Sequence, residues 1–276
     1  MTFFTAADGT RLHFEDEGAG LPVLCLAGLT RTTRDFDFVA PHLDGVRLIR
    51  MDYRGRGQSD WPGPEGYTLM QEGADAQALL DHLGIDKAAI LGTSRGGLIA
   101  MGLGAVARDR LLGVCLNDIG PDIAAEGIGA ILDYLGLPPV ATTFEEAAQL
   151  RGAYMQVAGF ENVAPEVWQR EVRFAFDEVA GGGLALKYDA RLREAVETMA
   201  EQEMPDLWPL FATLKGLPLA VVHGVNSNIL YPDTVARMHT ENPDIRVAEV
   251  PGRGHVPFLD EPEALEVIHA WLKDMT

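Results

Sequence analysis

Apolar positions along the chain alternate between short unbroken runs and stretches of helical spacing. The opening residues 3–17 read as two short strands around Asp8-Gly9, a dipeptide suited to a tight hairpin turn. LPVLCLAG, residues 21–28, is an apolar run of strand length ending in glycine, the pattern of a strand covered on both faces. VRLIRMD (46–52), AAILG (88–92) and LLGVCLND (111–118) read as further strands. Between them, a helical stretch is expected around 35–43, and residues 69–83 place Leu69, Ala76, Leu79, Leu80 and Leu83 on one helical stripe. LIAMGLGAVA continues directly from the 88–92 strand as a helix.

Strands alternating with helices every ~25 residues predict an α/β fold with a parallel sheet. The rhythm stops over residues 121–208, where amphipathic helices are predicted at 128–135, 143–157, 166–176 and 191–203. Pro138, Pro139 and Gly181-Gly182-Gly183 break them. Strands resume at 217–224 and 245–252, and a final helix carries Leu265, Ile268, Leu272 and Met275 on one face. The expected organisation is one core domain, 1–120 with 209–276, interrupted by a helical insertion, 121–208.

Length and composition agree with this picture. The 276 residues suffice for one or two domains and for a core that needs no staples. Hydrophobic residues make up 47% and charged residues 23%, which excludes disorder and fibrous repeats. With 22 basic and 41 acidic residues, net −19, the chain would repel phosphate backbones and anionic lipid, so neither nucleic acid nor membrane is expected as a partner. No apolar stretch nears the ~20 residues of a membrane span, and the first residues lack a basic region followed by an apolar core. Cys25 and Cys115 lie in apolar runs without metal-ligand spacing, as buried thiols of a reducing compartment would. A cytoplasmic protein is expected. No phosphate-binding glycine loop, zinc-ligand cluster or cofactor fingerprint occurs, so the expected chemistry uses no cofactor or metal and a small-molecule substrate. A homodimer is left open.

The candidate chemistry centres on Gly92-Thr93-Ser94-Arg95-Gly96, a G-x-S-x-G pattern set between strand and helix. The flanking glycines permit a sharp turn that presents the Ser94 hydroxyl, and the helix behind it favours a developing oxyanion. The competing reading is a plain Gly-Ser turn. A neutral hydroxyl needs a base. Of seven histidines, His13, His42, His82, His239 and His269 fall within or beside predicted strands and helices. His223 stands at a strand end, where packing explains it equally well. His255, in PGRGHVPFLDEP between the last strand and the last helix, belongs to a loop at the same sheet edge as Ser94. The oxyanion donors would be the amides of Arg95 and Leu29.

These segments give the chain a marked resemblance to the α/β-hydrolase fold family. LCLAGLTRTTRDF resembles its oxyanion loop, LGTSRGG its nucleophile elbow, and GRGHVPFLDEP its histidine loop, with MDYRGRGQSD and VVHGVNSNIL between them in family order. The resemblance implies a mostly parallel eight-stranded sheet with helices on both faces and a helical cap. It also implies a serine hydrolase, of esterase or lactonase type, acting on a small, partly apolar ester or lactone through an acyl-enzyme. A carbon-carbon bond hydrolase, another cofactor-free acyl transferase or lyase, and a hydrolase-like binding protein are the alternatives. Ser94 argues against epoxide hydrolases and haloalkane dehalogenases, which attack with a carboxylate.

Two positions depart from the family pattern. Ala27-Gly28 replaces the usual His-Gly, with little consequence for a backbone donor. Asn228 stands where the family usually has its acid, and an amide cannot supply the charge that stabilises an imidazolium. Three explanations remain open: Asp118, at the end of the strand before the insertion, supplies the acid; Asn228 itself orients His255; or the chain is an altered form of an Asp-containing parent. Asp118 also fits a plain turn-capping role, and Asp122 and Asp233 are further carboxylates to consider. Arg54 and Arg56 either attract an acidic substrate or pair with neighbouring carboxylates. Tyr154, Met155, Phe160, Trp168, Phe174 and Phe176 line an apolar pocket or form the core of the insertion.

Overall fold

The computed structural model describes residues 2–201 and 205–276. β1 (Thr2–Thr5) and β2 (Arg11–Gly18) form the expected antiparallel hairpin, with Gly9 at φ +89° and the Thr10 amide donating to Asp8 Oδ1 at 3.0 Å. β3 (Leu21–Leu26), β4 (Val46–Met51), α1 (Leu69–His82), β5 (Ala88–Thr93), α2 (Arg95–Val106) and β6 (Leu111–Asn117) follow. Thr68 caps α1 by accepting the Gln71 amide. After β6 come α3 (Ala125–Leu132), α4 (Phe144–Val157), α5 (Pro165–Ala175), β7 (Phe176–Glu178), β8 (Leu184–Leu186), α6 (Leu192–Ala200) and α7 (Trp208–Ala212). The chain closes with β9 (Leu219–Gly224), α8 (Pro232–Glu241), β10 (Arg246–Val250) and α9 (Pro262–Lys273).

Eight strands form one sheet in the order β1-β2-β4-β3-β5-β6-β9-β10. β2 pairs antiparallel with β1 and β4, and every pairing from β4 to β10 is parallel. Every residue of β5 and β9 is buried, so both faces of the central strands are covered, as their unbroken apolar runs require. Because β3, β5, β6, β9 and β10 run in one direction, the loops leaving them emerge at one edge.

Two local outcomes differ from the sequence reading. The helical stretch expected around 35–43 is two single 3-10 turns, Thr33–Phe36 and Ala40–His42, because Pro41 removes an amide donor where an α-helix would continue. Between β6 and β9, β7 and β8 form a half-buried antiparallel pair joined through the three glycines 181–183, all near φ +100°. α3 begins three residues before the expected 128, and Gly136 at φ +73° follows it. Glu203, at the end of the expected 191–203 helix, lies outside the described residues.

The main core joins the sheet to α1, α2 and α9. A second cluster packs Met155, Phe160, Trp168 and Val172 of the 121–208 segment against Phe258 from the histidine loop. A third gathers Leu135, Tyr188, Leu192 and Val196 around Tyr67. The segment between β6 and β9 is therefore seated on the sheet's loops by apolar contacts on two sides. No helix among the described residues is long and apolar enough to cross a membrane.

Candidate active site

Ser94 occupies the turn from β5 into α2 at φ +50°, a region that costs a non-glycine residue about 1–3 kcal/mol. The turn is enforced by close packing. A Cβ on Gly92 would lie 2.7 Å from the Gly96 carbonyl carbon, and one on Gly96 would overlap the Leu26 carbonyl at the end of β3. The Ser94 amide donates to Asn117 O at 3.0 Å, which fixes the elbow to β6.

His255 Nε2 lies 2.9 Å from Ser94 Oγ, across 161 positions of sequence. Its Nδ1 lies 2.7 Å from Asp118 Oδ2. Asp118 Oδ2 accepts a hydrogen bond from Nδ1–H, which leaves Nε2 to accept from the serine hydroxyl. Asp118 is fully buried just beyond β6, at φ +54°. Its Oδ1 accepts the Gly224 amide at 2.8 Å and its Oδ2 also accepts the Ser227 hydroxyl at 2.6 Å. Asn228 lines the cavity in front of Ser94 and makes no hydrogen bond with His255. Asp122 accepts from Trp208 Nε1 at 2.9 Å, and Asp233 sits in the first turn of α8. The arrangement brings Ser94, His255 and Asp118 into one hydrogen-bonded chain and leaves Asn228 outside it.

The backbone amides of Leu29 and Arg95 donate to no acceptor among the described residues, so both are available beside Ser94. Gly28 N is occupied, donating to Asp35 Oδ2 at 3.1 Å. One buried carboxylate ties the two available amides together. Glu72, on α1, accepts Arg95 Nε at 2.6 Å and Arg56 Nη1 at 2.7 Å, while Arg56 Nε donates to Leu29 O at 2.9 Å. Burial would raise the Glu72 pKa, but the Arg56 and Arg95 guanidiniums outweigh it and hold the carboxyl below its ordinary value.

Arg56 is therefore internal. Arg54 is likewise buried, gripping Asp75 with two 2.7 Å bonds and Asp8 at 2.8 Å. The loop arginines pair with carboxylates and do not face substrate space. His223, also buried, shares its Nε2 with Leu230 O at 3.1 Å.

A cavity of about 430 Å³ opens onto Ser94 and His255. Tyr154, Met155, Phe174 and Phe176 line it; Phe160 and Trp168 instead pack edge to face in the second cluster. Arg31, Asp35, Arg151 and Glu171 add a polar wall. Sequence reasoning missed this wall, as it missed Glu72 and Ser227. Only Glu72 left a trace, as a carboxylate on the buried side of an amphipathic helix. Among the described residues, no group of three or more His, Cys, Asp or Glu side chains is placed to hold a metal ion.

The chain matches the alpha/beta hydrolase family over residues 23–266. It is 37% identical over 258 residues to the 3-hydroxybutyrate-oligomer hydrolase of Cupriavidus necator, covering 89% of this chain and 86% of that protein. An alpha/beta hydrolase from Novosphingobium aromaticivorans, known as a crystal structure, superposes with a TM-score of 0.92 at 35% identity, covering 99% of this chain and 97% of the other. Haloalkane dehalogenase 2 of Mycobacterium tuberculosis is 26% identical, covering 92% of this chain and 88% of that protein.

Proposed function

This chain belongs to the alpha/beta hydrolase family, and from that premise we propose that it is a serine hydrolase cleaving small aliphatic esters, oligoesters of a 3-hydroxy acid among them. The 2.9 Å contact between Ser94 Oγ and His255 Nε2 carries the reading. In the proposed reaction Ser94 gives its proton to Nε2 and attacks the ester carbonyl. The Leu29 and Arg95 amides hold the tetrahedral oxyanion, where each such donor is worth about 3 kcal/mol. Collapse expels the alcohol with the proton from His255 and leaves an acyl-Ser94. Water, deprotonated by His255, then releases the acid and restores the serine. Asp118 stabilises the imidazolium throughout.

The likeness to the Cupriavidus enzyme supports an oligoester substrate, and the largely apolar cavity supports an aliphatic one. The dehalogenase likeness fits less well. Attack of a serine on a haloalkane would leave an ether that water does not cleave, whereas a carboxylate nucleophile leaves a hydrolysable ester. Residues 121–208 act in this proposal as a cap that excludes bulk water and limits substrate size.

A fluorophosphonate probe tests the nucleophile. Rapid labelling of the wild type and none of Ser94→Ala is expected, together with release of monomer from a 3-hydroxybutyrate dimer by the wild type alone. Equal labelling of both proteins, or an unreactive Ser94, would overturn the proposal.

A further inference from the structure

The polar wall of the cavity is expensive to keep. Glu171, on α5, is buried to 8% exposure and accepts Arg151 Nε on Oε2 at 3.1 Å, while Arg31 Nη1 approaches its Oε1 at 3.5 Å. Arg31 Nη1 also donates to Asp35 Oδ1 at 2.6 Å. Removing such ions from water is costly, and apolar side chains of similar volume would do as well for stability. Burial works against the charge of Glu171, yet Arg151 and Arg31 hold its pKa below the ordinary value. Burial likewise opposes the Arg31 charge, and Asp35 and Glu171 outweigh it and raise its pKa. Glu171 and Arg31 are thus held charged on a wall that an apolar substrate alone would not require.

The acceptors of the wall are occupied and several of its donors are not. Asp35 is filled by Arg31 and by the Gly28 amide, and each Glu171 oxygen already faces a guanidinium. Nε and Nη2 of Arg31, and Nη1 and Nη2 of Arg151, have no partner among the described residues, and both side chains remain about 30% exposed to the cavity side. The Tyr134 and Tyr154 hydroxyls, on the same cavity, are also without partners among the described residues. Asp133, the other carboxylate of the lining, is solvent-exposed. The surplus beside Ser94 is one of hydrogen-bond donors, and a guanidinium fork matches a carboxylate in shape as well as charge.

We propose that Arg31 and Arg151, with Tyr134, form a subsite for the free carboxylate of the substrate, so that the enzyme acts on hydroxy-acid oligoesters at an acidic chain end. This rests on the ester-hydrolase reading above. The two guanidiniums are balanced by two carboxylates, so recognition comes from directed N–H donors and only secondarily from net charge. Arg31 also stands four residues before Asp35, which holds the oxyanion loop through Gly28, so Arg151 is the cleaner position to alter.

The test compares two substrates with the same scissile ester, 3-hydroxybutyrate dimer as its free acid and as its methyl ester. The ratio of their kcat/KM values is independent of the fraction of protein that is active. The wild type is expected to favour the acid at least tenfold, Arg151→Met to lose most of that preference through KM, and Arg151→Lys to regain part of it. A wild type without preference for the acid, or the same ratio in Arg151→Met, overturns the subsite. If neither dimer is cleaved, the ester-hydrolase reading fails instead. Calorimetric titration with the free-acid dimer then decides the subsite alone: binding lost in Arg151→Met upholds it, and binding equal in both proteins, or absent from both, refutes it.

Discussion

Ser227 donates its hydroxyl to Asp118 at 2.6 Å, so the loop after β9 reaches the carboxylate behind His255 without supplying one. Its neighbour Asn228 faces the cavity, while Asp118 reaches His255 Nδ1 from the end of β6. Asp118→Asn is expected to lower kcat by about 10⁴, the loss known for the same chemical change in a serine protease. Asn228→Asp should change kcat less than threefold. Steady-state kinetics on a short ester distinguishes them, and the reverse ranking of the two variants refutes the assignment of Asp118.

Ser227 itself gives a second prediction. Its Oγ accepts the Ile229 and Leu230 amides at 3.1 Å each while donating to Asp118, so it links loop shape to the acid. Ser227→Ala removes a charge-assisted hydrogen bond of about 1.5–3 kcal/mol in the ground state and leaves two amides without their acceptor. A loss of about tenfold in kcat is expected, with KM nearly constant. A KM effect alone would show that the residue shapes the cavity and not the acid.

Glu72 carries the Arg95 guanidinium and the Arg56 guanidinium that holds the Leu29 carbonyl. Glu72→Gln leaves Arg56 and Arg95 buried with an uncharged partner, and breaking a buried pair in this way costs about 3–5 kcal/mol. Urea unfolding should register that loss. The surviving folded enzyme should show reduced kcat toward the same ester, because the Leu29 carbonyl and the Arg95 side chain lose their common anchor. Full stability with lowered kcat, or the converse, would separate the two roles assigned to Glu72.

Several carboxylates titrate below their ordinary values: Asp8 at about 2, mainly through its hydrogen bond to Arg54, and Glu72 and Glu171 through paired arginines that overcome burial. A folded-state pKa below the unfolded one means stability that is complete above the unfolded value, near pH 4, and is lost as pH falls through the folded value. Urea midpoints should therefore hold from pH 7 to 5 as far as these groups are concerned and fall below pH 4. Asp8→Asn should flatten the acid limb towards pH 2; an unaltered limb would show that the exposed Asp8 pair contributes nothing.

Backbone-scale features were legible in the sequence because they follow from period and spacing. The parallel sheet announced itself in LPVLCLAG and AAILG, and Ser94 and His255 in loops that one sheet edge must bring together. Where the structure departs from the sequence pattern, either a local breaker or a tertiary contact decides. Pro41 turned a predicted helix into single turns, and the Gly181-Gly182-Gly183 run became a hairpin turn. Arg31, Arg151 and Glu171 lie on separate segments whose meeting no local pattern encodes, and Asp118 competed with Asn228 because both loops leave the same edge.

Close packing at the elbow makes opposite predictions for one substitution at two positions of α2. A Cβ on Gly96 would overlap the Leu26 carbonyl and come 2.8 Å from the Leu26 side chain, and the strand β3 that carries Leu26 is clamped between β4 and β5. Neither side can yield cheaply, since the obstacle is backbone. Gly96→Ala should lower stability by about 3 kcal/mol, the upper range for overpacking, and displace Ser94 enough to abolish activity. Six residues along the same helix, a Cβ on Gly102 meets nothing within 4 Å. Gly102→Ala should instead raise stability by about 0.5–1 kcal/mol by restricting the unfolded chain and favouring the helix, with kcat preserved. Urea midpoints of the two variants, measured side by side with ester turnover, check both signs. A tolerated Gly96→Ala with wild-type activity would mean that the elbow is looser than its contacts with β3 require.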